Sequence, residues 1–275
     1  MGKPLEEVEK ETLAFAFTMK RLMAVALHKE DFYTFFYFTC VDKFDPKVPV
    51  MAISYSDTSS FAFPRIVYGP ELIPFIEKIL EKAPNIANRF VKEVKCVTKS
   101  ISKENEELLK RLFIFREIVK HEIIHYINLH LPRTVEFFKR RGISKISRPL
   151  LIKANEAADS ICNIYLDKKV IEQGGLVPPL EKEIPLEELL EKLVPKKNQS
   201  FVIGSDGSGN SGKGFEDFLS EEVEELEKHD FSRLKEIVGR ILENTTEEYK
   251  KDSKGIGTIP SEIEETIKWL KKREE

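Results

Sequence analysis

Cysteine is scarce in this chain. The three present, Cys40, Cys96 and Cys162, are odd in number and widely scattered. That excludes a disulfide framework and the closely spaced pairs of a zinc knuckle, and points to a reducing compartment. Long apolar runs are also missing: the densest, Phe35-Phe36-Tyr37-Phe38, is far too short to span a bilayer. Residues Lys3 to Glu11 are charged and offer no signal-peptide core. Glu6 stands where N-myristoylation needs Ser or Thr. Neither sign of charge dominates, since 44 Lys and Arg face 47 Asp and Glu for a net −3. The basic footprint of nucleic-acid binding is therefore absent. These absences lead to the expectation of a soluble cytoplasmic protein with no membrane and no nucleic-acid partner. With 275 residues there is chain enough for one large domain or two small ones.

Along the chain, Leu5 to Leu27 reads as an amphipathic helix. Phe32 to Val41, Val48 to Tyr55 and Phe61 to Tyr68 are rich in aromatic and β-branched residues and are separated by turn signals, so they read as three strands ended by Gly69-Pro70. Helical pattern then resumes. A helix is expected over Thr134 to Arg141, stopped by Gly142, and another from an N-cap at Ser147 to about Ile171, closed by Gly174-Gly175. Leu176 to Pro195 reads as a loop and 201–214 as a flexible Gly/Ser segment. Residues 215–275 read as a charged helical extension packed on the domain formed by 1–200. No internal repeat is present.

Chemistry concentrates in His121-Glu122-Ile123-Ile124-His125. On a helix, residues four apart lie about 40° apart around the axis, so both imidazoles point the same way. Two neutral imidazoles supply half of a tetrahedral zinc shell. Glu122, beside them, is placed to take a proton from an activated water. The surrounding apolar stripe, from Leu108 and Leu109 to Ile127, marks a buried helix, in which polar groups are costly unless paired or metal-bound. The alternative is a core helix with hydrogen-bonded histidines.

A catalytic zinc usually takes three protein ligands, and three residues compete for the third place. His130 lies nine positions after His121, on the opposite side of a continuous helix, and reaches the metal only if the helix unwinds after about Asn128. Its plainer role is a helix cap or a loop hydrogen bond. Pro132 favours an early stop by disfavouring helix at Leu131. The other candidates, Asp159 and Glu156, lie on the next long helix. There Asn155, Asp159 and Asn163 share one face at spacing four, which suggests a buried polar cluster. A carboxylate that is not itself a ligand can orient a ligand imidazole.

With these motifs the chain resembles the predicted metal-dependent peptidases associated with von Willebrand A-like domains, a family placed among the zincins. The resemblance rests on His121, Glu122, His125, His130 and Arg133, on Asn155, Ala157, Asp159 and Asn163, and more weakly on Gly257-Thr258-Ile259-Pro260. Lys228-His229-Asp230-Phe231 fits a later family segment only in part. The resemblance implies an α+β, zincin-like fold, with a small sheet packed on the His-Glu helix and additional C-terminal helices. It also implies a zinc-dependent hydrolase acting on a peptide or protein substrate. Its catalytic base would be Glu122 and its metal ligands His121, His125 and Asp159, with His130 and Glu156 as alternatives. Asn155, Asn163 and Arg133 would support them from behind. An ATPase or a von Willebrand A-like module is the implied protein partner. The competing function is an interaction module of the same fold, with or without metal. In related zincins an edge strand binds substrate backbone, and Arg65 to Tyr68 is the expected edge.

Gly207 to Gly214 nearly spells a phosphate-binding loop ending in Lys213. Gly214 replaces the hydroxyl that would hold Mg²⁺, and no strand-helix series surrounds it, so a linker is expected.

Overall fold

The structure, a computed structural model, describes residues 41–45, 47–55, 65–97, 101–194, 213–228, 235, 236, 238, 239, 242 and 261–271. The expected helix over 5–27, the residues of the strands before 41 and over 56–64, the Gly/Ser segment over 201–212, the segment 229–231 and the turn before Ser261 lie outside them. The described chain is mostly helical with a small sheet, an α+β arrangement, and it divides into two compact units. Among the described residues no helix is long and apolar enough to cross a membrane.

The first unit holds the sheet: β1 (Val41–Phe44), β2 (Met51–Ser54) and β3 (Arg65–Tyr68). Their order is β1-β3-β2, with β1 parallel and β2 antiparallel to β3. This corrects the expectation that Arg65 to Tyr68 is the edge: β3 is hydrogen-bonded on both sides, and among the described strands the outer ones are β1 and β2. Gly69 ends β3 for a steric reason. A Cβ there would lie 1.3 Å from the Val48 carbonyl oxygen, so only glycine permits this approach of two backbones.

Helix α1 (Leu72–Lys82) buries Leu72, Ile76, Ile79 and Leu80, a one-sided stripe at helical spacing. Helix α2 (Asn88–Val97) follows, then α3 (Lys103–Ile127), the longest described. Glu104 and Glu106 in its first turn favour the helix N-terminus electrostatically. Its later part is apolar nearly all round, with Leu109, Leu112, Ile114, Phe115, Ile118, Val119, Ile123 and Ile124 buried, so it forms a core helix. Arg116 lies over the Phe90 and Phe113 rings at 5.1 and 5.3 Å.

The second unit takes over α3 from Ile124 and adds α4 (His130–Arg140), α5 (Arg148–Cys162), α7 (Leu186–Glu191), α8 (Lys213–Lys228) and α9 (Ser261–Lys271). Helix α4 starts four residues before the expected Thr134. The early stop expected before Pro132 is present, since α3 ends at Ile127, but Leu131 is helical: Pro132 sits in the first turn of α4, where a missing N–H is tolerated. Helix α5 starts after Ser147, whose backbone is extended as an N-cap requires although its side chain makes no capping bond.

Helix α5 ends at Cys162, short of the expected Ile171. A 3-10 turn (Asn163–Tyr165) intervenes and α6 (Lys168–Gly174), which belongs to the first unit, begins afresh. The break is made by Asp167, whose carboxylate caps the Lys169 N–H at 2.8 Å, while its own N–H donates to buried Glu117. The stretch read as a loop from Leu176 to Pro195 contains α7, because Leu186 and Leu190 pair at spacing four into the core. That core joins Phe137, Phe138, Leu150, Ala154, Ala158 and Ile161 to them.

Candidate metal centre

Helix α3 carries His121 at half-buried and Glu122 and His125 at buried positions. The division between units falls inside this helix, between Ile123 and Ile124, and the helix itself runs unbroken from Lys103 to Ile127. His121 and His125 are therefore related by one turn of continuous α-helix, as the motif predicts.

The end of α3 decides what joins them. Asn128 N–H still reaches the Ile124 carbonyl, but Leu129 N–H turns back to Tyr126 at 3.0 Å. The carbonyl of His125 is thus released from its usual helical partner four residues on, and the Tyr55 hydroxyl donates to it at 2.7 Å. The Tyr55 N–H donates to the buried Glu222 carboxylate, and its ring stacks on Tyr126 with centroids 6.0 Å apart. Leu129 then adopts a left-handed conformation, φ 48 and ψ 43, and α4 starts at the next residue.

That reversal is the unwinding after about Asn128 that His130 needs to leave the far side of the helix. Its imidazole is buried and returns to His125, Nδ1 to Nδ1 at 3.0 Å, with the rings edge to face. The turn is held from behind by Arg133, which is fully buried. Arg133 Nη1 donates to the Asn128 carbonyl at 3.1 Å and to Thr266 Oγ1 at 2.8 Å. Its Nε and Nη2 form a bidentate pair with Glu187 at 2.8 and 2.5 Å. Arg133 acts on the site through the backbone of the turn.

Helix α5 supplies the facing groups. Asp159 Oδ1 lies 3.0 Å from His125 Nε2, and the Asn155 amide donates to both Asp159 oxygens at 3.2 Å. An ionised carboxylate only accepts hydrogen bonds, so with Asp159 ionised this contact selects the tautomer in which His125 Nε2 donates and Nδ1 keeps the lone pair. One helical turn beyond Asp159, the buried Cys162 Sγ lies 3.7 Å from His130 Nδ1. One donor atom from each of His121, His125 and Cys162 lies within 4.8 Å of the others, a group able to hold a metal ion.

Asp159, Asn155 and His130 are thus brought to His125. Glu156 is half-exposed on α5 and lies outside that donor group, and Asn163 is buried in the 3-10 turn. Sequence reasoning missed Cys162, Tyr55, Glu187 and Thr266. Cys162 had a signal: three positions after Asp159, it shares that residue's face of the helix. Tyr55, Glu187 and Thr266 are brought in by tertiary packing and carry no local sequence signature.

The donor chemistry fits a zinc-type ion. Imidazole nitrogen and thiolate sulfur are its preferred ligands, and ligand atoms of a tetrahedral site stand roughly 3.3–3.6 Å apart given Zn–N and Zn–S bonds of about 2.1 and 2.3 Å. The donor atoms of His121, His125 and Cys162, all within 4.8 Å of one another, lie near enough for a small movement to reach that spacing. Burial pushes the Tyr126 hydroxyl well above its ordinary value of 10.0. No protein-family model, curated protein or solved structure matches the chain.

Proposed function

We propose that the chain is a zinc-dependent peptide hydrolase of zincin type. The observation that carries the reading is the pairing of His121 and His125, one turn apart on a buried helix, with a third donor group within 4.8 Å and with Glu122 between them in sequence. His121 and His125 would hold the ion, and α5 offers both Asp159 and Cys162 as the next donor. When bound, zinc supplies a lowered water pKa and a polarised carbonyl. Glu122 would accept a proton from the attacking water and pass it to the leaving amine. Asp159, itself held by Asn155, keeps the His125 ring in one orientation and one tautomer. A peptide or protein substrate follows from the zincin resemblance, as does a partner bearing an ATPase or von Willebrand A-like module.

Metal analysis of the purified protein, coupled to a broad peptide-cleavage screen, tests the reading. Stoichiometric zinc and cleavage are expected, with Glu122→Gln retaining the metal and losing about 10²–10⁴-fold in rate. Protein free of transition metal would sink it. A second reading has one observation in its favour. His130 and Cys162 are both buried beside His125, and a shell closed by protein donors alone would leave no position for water. That is a structural ion in an interaction module, and its mark is bound metal without cleavage of any peptide.

A further inference from the structure

We infer that Cys162 is a metal ligand, completing a two-histidine, one-thiolate donor set with His121 and His125, and that Asp159 is a positioning residue for His125. The inference rests on the metal-site reading above.

Three observations carry it. First, a buried cysteine is ordinarily a small apolar side chain among aliphatic neighbours. Cys162 instead meets ring nitrogen, 3.7 Å from His130 Nδ1, and shares the donor group of His121 and His125. Second, the two nitrogens of His125 have separate neighbours. Nε2 faces Asp159 and Nδ1 faces His130, the residue that Cys162 also approaches. A carboxylate that accepts the Nε2 proton leaves Nδ1 as the metal-binding atom, the usual division of labour between a ligand imidazole and its supporting acid. Third, Asn155 donates to both Asp159 oxygens while one of them faces His125, so the carboxylate is fixed against the His125 ring as an orienting group requires. The sulfur donor also sets the metal class, because thiolate with imidazole selects zinc or cobalt over magnesium, calcium or manganese.

Cobalt substitution tests the inference independently of catalysis. Cobalt bound in a tetrahedral site shows visible ligand-field absorption whatever the ligands, and near-ultraviolet charge transfer only when a thiolate is bound. The chain has three cysteines, so the Cys40→Ser, Cys96→Ser double variant leaves Cys162 as its sole thiol. That protein, titrated with Co²⁺, is expected to show both absorptions. Cys162→Ser should lose the charge transfer, while Asp159→Asn keeps it and binds cobalt about 10–100-fold more weakly. Visible absorption without charge transfer in the double variant would overturn the inference and leave the metal site standing. Charge transfer that persists in Cys162→Ser would also overturn it. Absence of cobalt uptake by the wild-type chain would overturn both readings. Should Cys162→Ser fail to fold, the double variant alone decides.

Discussion

The guanidinium of Arg133 and the main-chain carbonyl of Asn128 meet at 3.1 Å, where a fully buried cation holds the last unsatisfied turn of the motif helix. The same cation engages Glu187 and Thr266, so α3, α4, α7 and α9 converge on one side chain. Arg133→Met should therefore destabilise the protein by about 3 kcal/mol, the low end for breaking a buried ion pair, since Glu187 retains some solvent. Chemical denaturation measures this as a lower midpoint. An unchanged midpoint would show that the guanidinium does not hold the turn.

Leu129 carries a conflict between side chain and backbone. Its side chain is fully buried, yet its φ of 48 is one that β-carbon-bearing residues avoid. Leu129→Ala keeps the strain and loses the packing, at a cost of about 2–5 kcal/mol. Leu129→Gly loses still more packing but relieves the strain. The glycine variant is expected to be the more stable of the two by about 1 kcal/mol, and thermal melts of both variants would reveal the reverse order if the left-handed turn were wrong.

Metal should stabilise the folded state by mass action. Zinc at a hundred times its dissociation constant adds about 2.7 kcal/mol, and a chelator removes it. Differential scanning calorimetry with and without chelator reads the difference. With imidazole and thiolate as the proposed donors, magnesium and calcium should produce no shift.

Tyr126 gives a prediction in pH. Its folded pKa is raised by burial, so above the unfolded value of 10.0 the unfolded chain releases a proton that the folded chain retains. Stability is fully present below pH 10 and falls as pH rises further. Tyr126→Phe should flatten that alkaline loss relative to wild type, as followed by denaturant midpoints between neutral pH and pH 11. Parallel pH profiles for the two proteins would rule the burial effect out.

What could be read in advance follows the range of the interactions. His121, Glu122 and His125 were legible because helical periodicity alone sets their relation, and Asn155 and Asp159 for the same reason. The return of His130 could be read only as a condition on the helix ending near Asn128, because it depends on a single left-handed residue, Leu129, that reverses the chain between two helices. Leucine gives no hint of that conformation, for which glycine or asparagine is the usual signal. The strand order was misjudged because β1 joins β3 in parallel, a pairing that no turn residue announces. Helix α7 was hidden in a Pro- and Glu-rich stretch whose apolar positions make sense only against Phe137 and Phe138. Tyr55 and Thr266 reach the site across 70 and 138 residues, beyond any local pattern.

The left-handed turn also bears on the order of assembly. The contacts that gather the donors close short stretches of chain, 5 positions for His125 with His130, 32 for His130 with Cys162 and 34 for His125 with Asp159. The contacts that lock the turn close 54 and 133 positions, through Glu187 and Thr266. Loop-closure entropy grows with length, so nearby partners meet first. On that ordering the histidines and Cys162 are expected to meet before α9 docks through Thr266, and an ion captured at that stage would act as a nucleus on which the rest of the second unit condenses.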